Sequence, residues 1–199
     1  MDNIKSAQAF NNKLNTDVLQ SLRKKYIAFD VETTGLNSYS DRIIEIGAVL
    51  FENGQPVKKF STLVNPNVKV NPAAAAVNHI TDAMLADAPG EELVYSKFMV
   101  FLGEAVQGNI FMCAHNARFD FGFLCNTLNR LGHKAYFNYV DTLGLSRKYV
   151  KGLDNYRQST LEEHFGLVNK NSHRADADAI NCGKILGFIV RGIDGSCLK

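Results

Sequence analysis

Three short segments of this chain set acidic side chains among apolar neighbours, where charge is disfavoured. The first is Asp30-Val31-Glu32, at the end of the apolar run 26–32. Alternate residues of a strand face the same way, so Asp30 and Glu32 share a face. Two carboxylates held together repel each other and resist desolvation, and a bound cation removes both penalties. A strand end at which Glu32 is solvated and Asp30 caps the turn at Thr33-Thr34-Gly35 fits the same residues. The second segment is His115-Asn116-Ala117-Arg118-Phe119-Asp120, directly after the short apolar run 110–114. It sets Asp120 in the first turn of a helix, where the macrodipole alone would favour an acid. The third is His173-Arg174-Ala175-Asp176-Ala177-Asp178. On a helix Asp176 and Asp178 stand about 200° apart, so only one of them can face a given site. His173 precedes this helix, from where its ring can reach over such a site.

Taken together, the three segments bring acids from the ends of different elements, with no Cys or His cluster. That donor set favours hard cations with oxygen ligands, Mg²⁺ or Mn²⁺. Carboxylate sites of this kind often hold two metals about 3.5–4 Å apart, which stabilise the attacking and leaving oxygens of an in-line phosphoryl displacement.

The elements that must position these residues follow from periodicity. Leu14, Val18 and Leu22 predict a helix within an N-terminal helical extension, residues 1–25. Strands are expected over 26–32, 43–51 and 60–64, with Asn53-Gly54 turning the second into the third as an antiparallel pair. Pro89 followed by Glu91 and Glu92 starts a helix whose inner face carries Val94, Phe98, Phe101 and Leu102. A buried strand over 110–114 leads to Asn116, a good N-cap for a helix with Phe121, Leu124, Leu128 and Leu131 on one face, ended by Gly132. A last strand is expected over 139–141, then helical pieces, then a final helix with Ala179, Cys182, Leu186 and Ile189 in phase. Small alanines at 175, 177 and 179 would let that helix approach the sheet closely. The order is a three-strand meander followed by helix, strand, helix, strand and helices, which is a mixed α/β sheet with packed helices.

Bulk properties are consistent with one domain. With 199 residues the chain can bury a full core. Its 46% hydrophobic and 21% charged residues are ordinary for a globular protein. A net charge of +2 neither requires nor excludes a nucleic-acid partner. Arg147, Lys148, Lys151, Arg157, Lys170 and Arg174 outnumber the acids around them and could touch phosphates, although a solvated face explains them equally. Cys113, Cys125, Cys182 and Cys197 show no metal or disulfide spacing, and the first three read as small core residues in a reducing cytoplasm. No run approaches the roughly 20 apolar residues of a membrane span, so a soluble, cytoplasmic protein without membrane contact is expected.

The three acidic motifs, in this order and with the stretches Arg42-Ile43-Ile44-Glu45-Ile46-Gly47-Ala48 and His79-Ile80-Thr81 between them, resemble the DEDDh 3′–5′ exonucleases. That family is typified by the proofreading epsilon subunit of bacterial DNA polymerase III and the exonuclease domain of PolC. The likeness spans about residues 26–191, within an exonuclease domain placed at 26–192 and followed by a short tail, 193–199. It implies a ribonuclease H-like fold with a five-stranded mixed sheet and helices on both faces. It also implies that Asp30, Glu32, Asp120 and Asp178 hold two divalent cations, Mg²⁺ or Mn²⁺. His173, five residues before Asp178, matches the histidine subclass and would be the base, whereas the tyrosine subclass has Tyr where Arg174 stands. Asp176 falls outside the pattern. The resemblance places Thr33, Gly35, Leu36, His79 and Phe119 near the terminal nucleotide. A turn and core packing account for Gly35 and Phe119 equally well.

The implied reaction is hydrolysis at the 3′ end of DNA, most readily single-stranded, releasing nucleoside 5′-monophosphates in proofreading or repair. Oligoribonucleases of this family usually read Asp-Leu-Glu-Met-Thr-Gly, and Thr33 in place of that Met favours DNA. An exoribonuclease is the alternative, and a non-catalytic nucleic-acid-binding module a second, although all five catalytic positions are filled. A DNA polymerase partner is one expectation. The chain ends within ten residues of its last helix, where epsilon continues, so a free-standing nuclease or a fragment of something longer fits as well. His133 and His164 are expected at surface helix ends, Asp41-Arg42 as a loop charge pair, Glu45 behind the acids, and Asp141 without a catalytic role.

Overall fold

A computed structural model describes residues 6–168 and 174–193. The strands are β1 (Ala7–Ala9), β2 (Lys25–Thr33), β3 (Ile43–Glu52), β4 (Gln55–Leu63), β5 (Phe111–Ala114) and β6 (Phe137–Asp141). They form one sheet in the order β1-β6-β5-β2-β3-β4. β2, β3 and β4 make the expected antiparallel meander, and β5, β6 and β1 add in parallel on the other side. The sheet therefore has six strands where five are expected. The extra one, β1, has three residues, too few to show a two-residue period, and only its pairing with β6 identifies it. β4 also starts earlier than expected. Its exposed residues 55–59 carry no alternating apolar signal.

The helices are α1 (Thr16–Lys24), α2 (Pro72–Asn78), α3 (Asp82–Leu85), α4 (Glu91–Leu102), α5 (Arg118–Arg130), α6 (Thr142–Tyr149), α7 (Gln158–His164) and α8 (Ala175–Gly192). They cover both faces. Ile27, Phe29 and Val31 pack with α4 and α5, while Tyr26, Ala28, Val49 and Phe51 pack with α1, α6 and α8. The two-residue period of β2 thus assigns each residue to one of two cores. Asp30 and Glu32 continue the α8 face.

α8 lies close on the sheet because small residues meet there. Ala175 and Ala179 are fully buried, while Ala177 is only partly so. On the sheet side a β-carbon at Gly47 would overlap the backbone of Ala175, and on the helix side one at Gly183 would overlap the Phe51 ring. Cys113, Cys125 and Cys182 are buried free thiols, and Cys197 lies outside the described residues. Among the described residues no helix is long and apolar enough to cross a membrane. His164 is exposed and His133 partly so.

Candidate active site

β2 and the start of α8 bring three of the acids together. Ligand oxygens of Asp30, Glu32 and Asp178 lie within 4.8 Å of one another. They line a cavity of about 400 Å³, with His115, Asn116, Phe119, Asp120 and residues 157–159 and 162. Asp120 shares this cavity but stands outside the three-acid cluster among the described residues. The reason is topological. α5 packs on the opposite face of the sheet from α8, so Asp120 reaches the strand end from the other side. Its Oδ1 accepts the Val31 amide at 3.2 Å.

The electrostatics follow from this crowding. Burial pushes the Asp30 carboxyl well up, and the charges of Asp120, Asp178 and Glu32 push it further. Glu32 is pushed up to about 8, first by burial, then by Asp178 and Glu45, against a hydrogen bond from Asn78 and the charge of Arg174. Asp120 is raised too, chiefly by burial, although its bond from Val31 opposes the shift. Ionised together, these acids need a compensating positive charge inside the cavity. An all-oxygen donor set of this kind suits a hard divalent cation.

Asp176 and Asp178 part company. Asp176 turns outward to the Lys59 ammonium at 2.7 Å, while Asp178 enters the cavity. Gln158 holds Asp178 there, donating to its backbone oxygen at 3.0 Å and to Oδ1 at 3.4 Å. Glu45 anchors the beginning of the helix. Its buried carboxylate accepts two bonds at Oε1 from Arg174, at 2.5 and 3.0 Å, and one at Oε2 from the Ala175 amide at 3.1 Å. A carboxylate on the first amide of α8 also complements the helix dipole. Arg174→Ala leaves Glu45 buried beside Glu32 with one amide partner. A stability loss of about 2 kcal/mol is expected by urea unfolding, below the usual range for broken buried pairs because the Arg174 side chain is 47% exposed. Glu45→Gln, which keeps an acceptor for the Ala175 amide, should lose less. Equal losses in the two variants would show that the charge is immaterial. His173, the residue before Arg174, lies outside the described residues.

His115 lines the cavity, but both ring nitrogens are engaged, Nδ1 with Thr142 Oγ1 and Nε2 with the Tyr156 carbonyl, each at 3.0 Å. Burial holds its pKa down. A carbonyl only accepts, so Nε2 carries the proton and the ring is a neutral strut between elements, not a base.

A second cavity of about 540 Å³ shares Val31, Glu32 and Phe119 with the first. Thr33, Gly35, Leu36, Asn71, Ala74 and Val77 help to line it. Leu36 is 87% exposed at its rim. A β-carbon at Gly35 would overlap the Asp41 carboxylate, which would have to shift to admit one. That carboxylate accepts the Asn37 amide at 2.8 Å, and the Arg42 guanidinium donates to the backbone oxygens of Ser40 and Asp41. The two charges expected to pair thus serve the backbone of the turn instead. His79 ends α2 in the left-handed region (φ 58°), exposed and outside the cavity lining. Its neighbour Asn78 is buried in the wall, donates to the Thr33 carbonyl at 3.2 Å and hydrogen-bonds Glu32. Sequence reasoning missed Asn78, whose only local signal is a polar residue after the apolar run 72–77.

The family model for exonucleases, RNase_T, matches residues 27–186. The chain belongs to the exonuclease family. Curated relatives of this exonuclease-family chain include PolC-type DNA polymerase III of Caldanaerobacter subterraneus subsp. tengcongensis, 40% identical over 159 residues, and that of Clostridium perfringens, 37% over 169. The matches cover 80% and 85% of this chain but 11% of each relative, so the chain spans about a tenth of their length. Among solved structures, Exonuclease X in complex with 5′ overhanging duplex DNA aligns with a TM-score of 0.64 and 28% identity, over 84% of this chain and 90% of that one. E. coli Exonuclease I in complex with a dT13 oligonucleotide aligns with a TM-score of 0.71 over 83% of this chain and 41% of that one. At 16% identity that likeness speaks to the fold, which is ribonuclease H-like.

Proposed function

We propose that this domain is a metal-dependent 3′–5′ exonuclease that removes nucleoside 5′-monophosphates from the 3′ end of single-stranded DNA. The observation that carries the reading is the clustering of Asp30, Glu32 and Asp178 in a cavity that shares the lining residues Val31, Glu32 and Phe119 with an apolar one. The acidic cavity suits the scissile phosphate with its cations, and the apolar cavity suits the terminal nucleotide. Leu36 and Phe119 would flank its base and Thr33 and Gly35 its sugar, while His79 stands farther off.

Asp30, Glu32, Asp120 and Asp178 would hold the cations, Mg²⁺ or Mn²⁺ and two in number. Bound there, they lower the pKa of water and stabilise the charge of an in-line displacement. His173 is assigned by its motif to take the proton of the attacking water. Asn78 and Gln158 orient Glu32 and Asp178, and Glu45 fixes the backbone at the start of α8. DNA is favoured by Thr33 and by the DNA complexes of the structural neighbours. The PolC-type relatives suggest proofreading beside a polymerase, or repair, as the cytoplasmic setting.

Matched DNA and RNA oligonucleotides labelled at the 5′ end test this. With Mg²⁺ or Mn²⁺ the DNA should shorten stepwise and release mononucleotides, faster than the RNA, and chelator should stop it. Cleavage from the 5′ end, or activity in chelator, would overturn the reading. Preference for RNA would replace it with an exoribonuclease.

A further inference from the structure

The segment before the family-matched region pairs with β6, the strand next to the one that leads into the second motif. β1 pairs with β6, and Phe10 continues the ladder by donating its amide to the Tyr139 carbonyl at 2.8 Å. The Phe10 ring meets Phe111 of β5 edge-on at 5.1 Å. The Asn11 side chain then closes the last rung. Its Nδ2 donates to the Asp141 carbonyl at 2.8 Å, and its Oδ1 accepts the Asp141 amide at 2.7 Å. Both backbone groups of Asp141 are thus satisfied by one side chain 130 residues away. The fit is close, since a β-carbon at Gly144 would come within 2.6 Å of Asn11 Nδ2.

Held this way, Asp141 does more than end β6. Its Oδ1 accepts three amides: Asn116 at 2.9 Å, Ala117 at 3.2 Å and Leu143 at 3.1 Å. One carboxylate oxygen therefore caps α6 and also holds the turn into α5. Asn116, expected to cap α5 itself, instead sits in the left-handed region (φ 64°) with its own amide on Asp141. α5 begins at Arg118, two residues before Asp120.

We propose that Asn11 is a positioning residue for the active site, acting through Asp141 on the turn that aims Asp120. The inference rests on the exonuclease reading and adds to it a part outside the family-matched residues 27–186. The N-terminal segment is then a component of the catalytic domain and not an appendage.

The test uses the full chain and two readouts. Asn11→Ala should lower kcat on single-stranded DNA by about tenfold to a hundredfold with KM little changed, the scale expected when a catalytic group is displaced by about an ångström. Asn11→Asp, which keeps an acceptor for the Asp141 amide but loses the donor, should fall between that variant and the parent. Amide hydrogen exchange reads the strut without needing turnover. Exchange at Asn116, Ala117 and Leu143 should accelerate by at least about tenfold in Asn11→Ala while β3 and β4 keep their protection. Exchange that rises uniformly across the sheet, with kcat per folded molecule unchanged, would overturn the proposal by showing a general stability role. If the parent chain proves inactive on DNA, the exonuclease reading fails on its own account and the exchange pattern still decides whether Asn11 holds this turn.

Discussion

Asp178→Asn is expected to lower turnover on single-stranded DNA by about 10³-fold or more, equivalent to about 4 kcal/mol of transition-state stabilisation. The substitution keeps the shape and the hydrogen bond from Gln158 to the Asp178 backbone. It removes one of three carboxylates whose oxygens lie within 4.8 Å of one another. The two remaining acids should be easier to ionise, because Asp178 is among the charges that push Asp30 and Glu32 up. The metal-free variant should therefore be at least as stable as the parent while being nearly inactive. Asp176→Asn is the internal contrast. That carboxylate pairs outward with the exposed Lys59, and such surface pairs contribute about 0–1 kcal/mol. It should keep activity within about threefold of the parent. Steady-state kinetics and thermal unfolding of the two variants decide the matter. Retention of more than about a tenth of the activity by Asp178→Asn would remove this residue from the reaction.

The contrast between these two acids shows what local pattern can and cannot convey. Helical geometry establishes only that Asp176 and Asp178 diverge. The spacing from His173 selects Asp178, and the physical partner that draws Asp176 away, Lys59 on β4, is 117 residues distant. Asp30 and Glu32 were readable as a same-face pair because a strand repeats every two residues, and the same period assigns them to the α8 side. That assignment also explains why Asp120, arriving with α5 from the other face, stands apart from the cluster. The meander and most long helices were legible for a similar reason, since their apolar residues repeat over several turns or alternations. β1 has no such repeat. Asn78 was overshadowed by the adjacent His79, and Asp141 looked like the end of a strand. Their roles reside in hydrogen bonds to Thr33, Asn11, Asn116 and Ala117, contacts between segments whose local sequences carry no periodic signal.

The raised carboxyls also make stability depend on pH in an unusual direction. Glu32 titrates near 8 in the fold, against 4.5 as the ordinary value, and Asp30 and Asp120 are raised as well. Between about pH 5 and pH 8 the folded chain without metal therefore binds more protons than the unfolded chain. Stability contributed by these neutral carboxyls is complete below the unfolded pKa and is lost as pH rises through the folded one. The metal-free protein should lose on the order of 3 kcal/mol over that interval, less than the full shift of Glu32 would give because its side chain is partly exposed. For a chain of this size that corresponds to a fall of about 10 °C in Tm. Mg²⁺ or Mn²⁺ should reverse the trend, since binding requires the ionised carboxylates and stabilises only the folded state. The gain from metal should consequently grow with pH. Thermal unfolding in chelator and in saturating metal measures both slopes. Glu32→Gln should flatten the metal-free slope, which separates the contribution of this carboxyl from the titration of surface groups. Metal-free stability that rises from pH 5 to pH 8, or a metal effect independent of pH, would mean that these carboxylates are already compensated in the folded chain, and the case for a cation among them would fail with it.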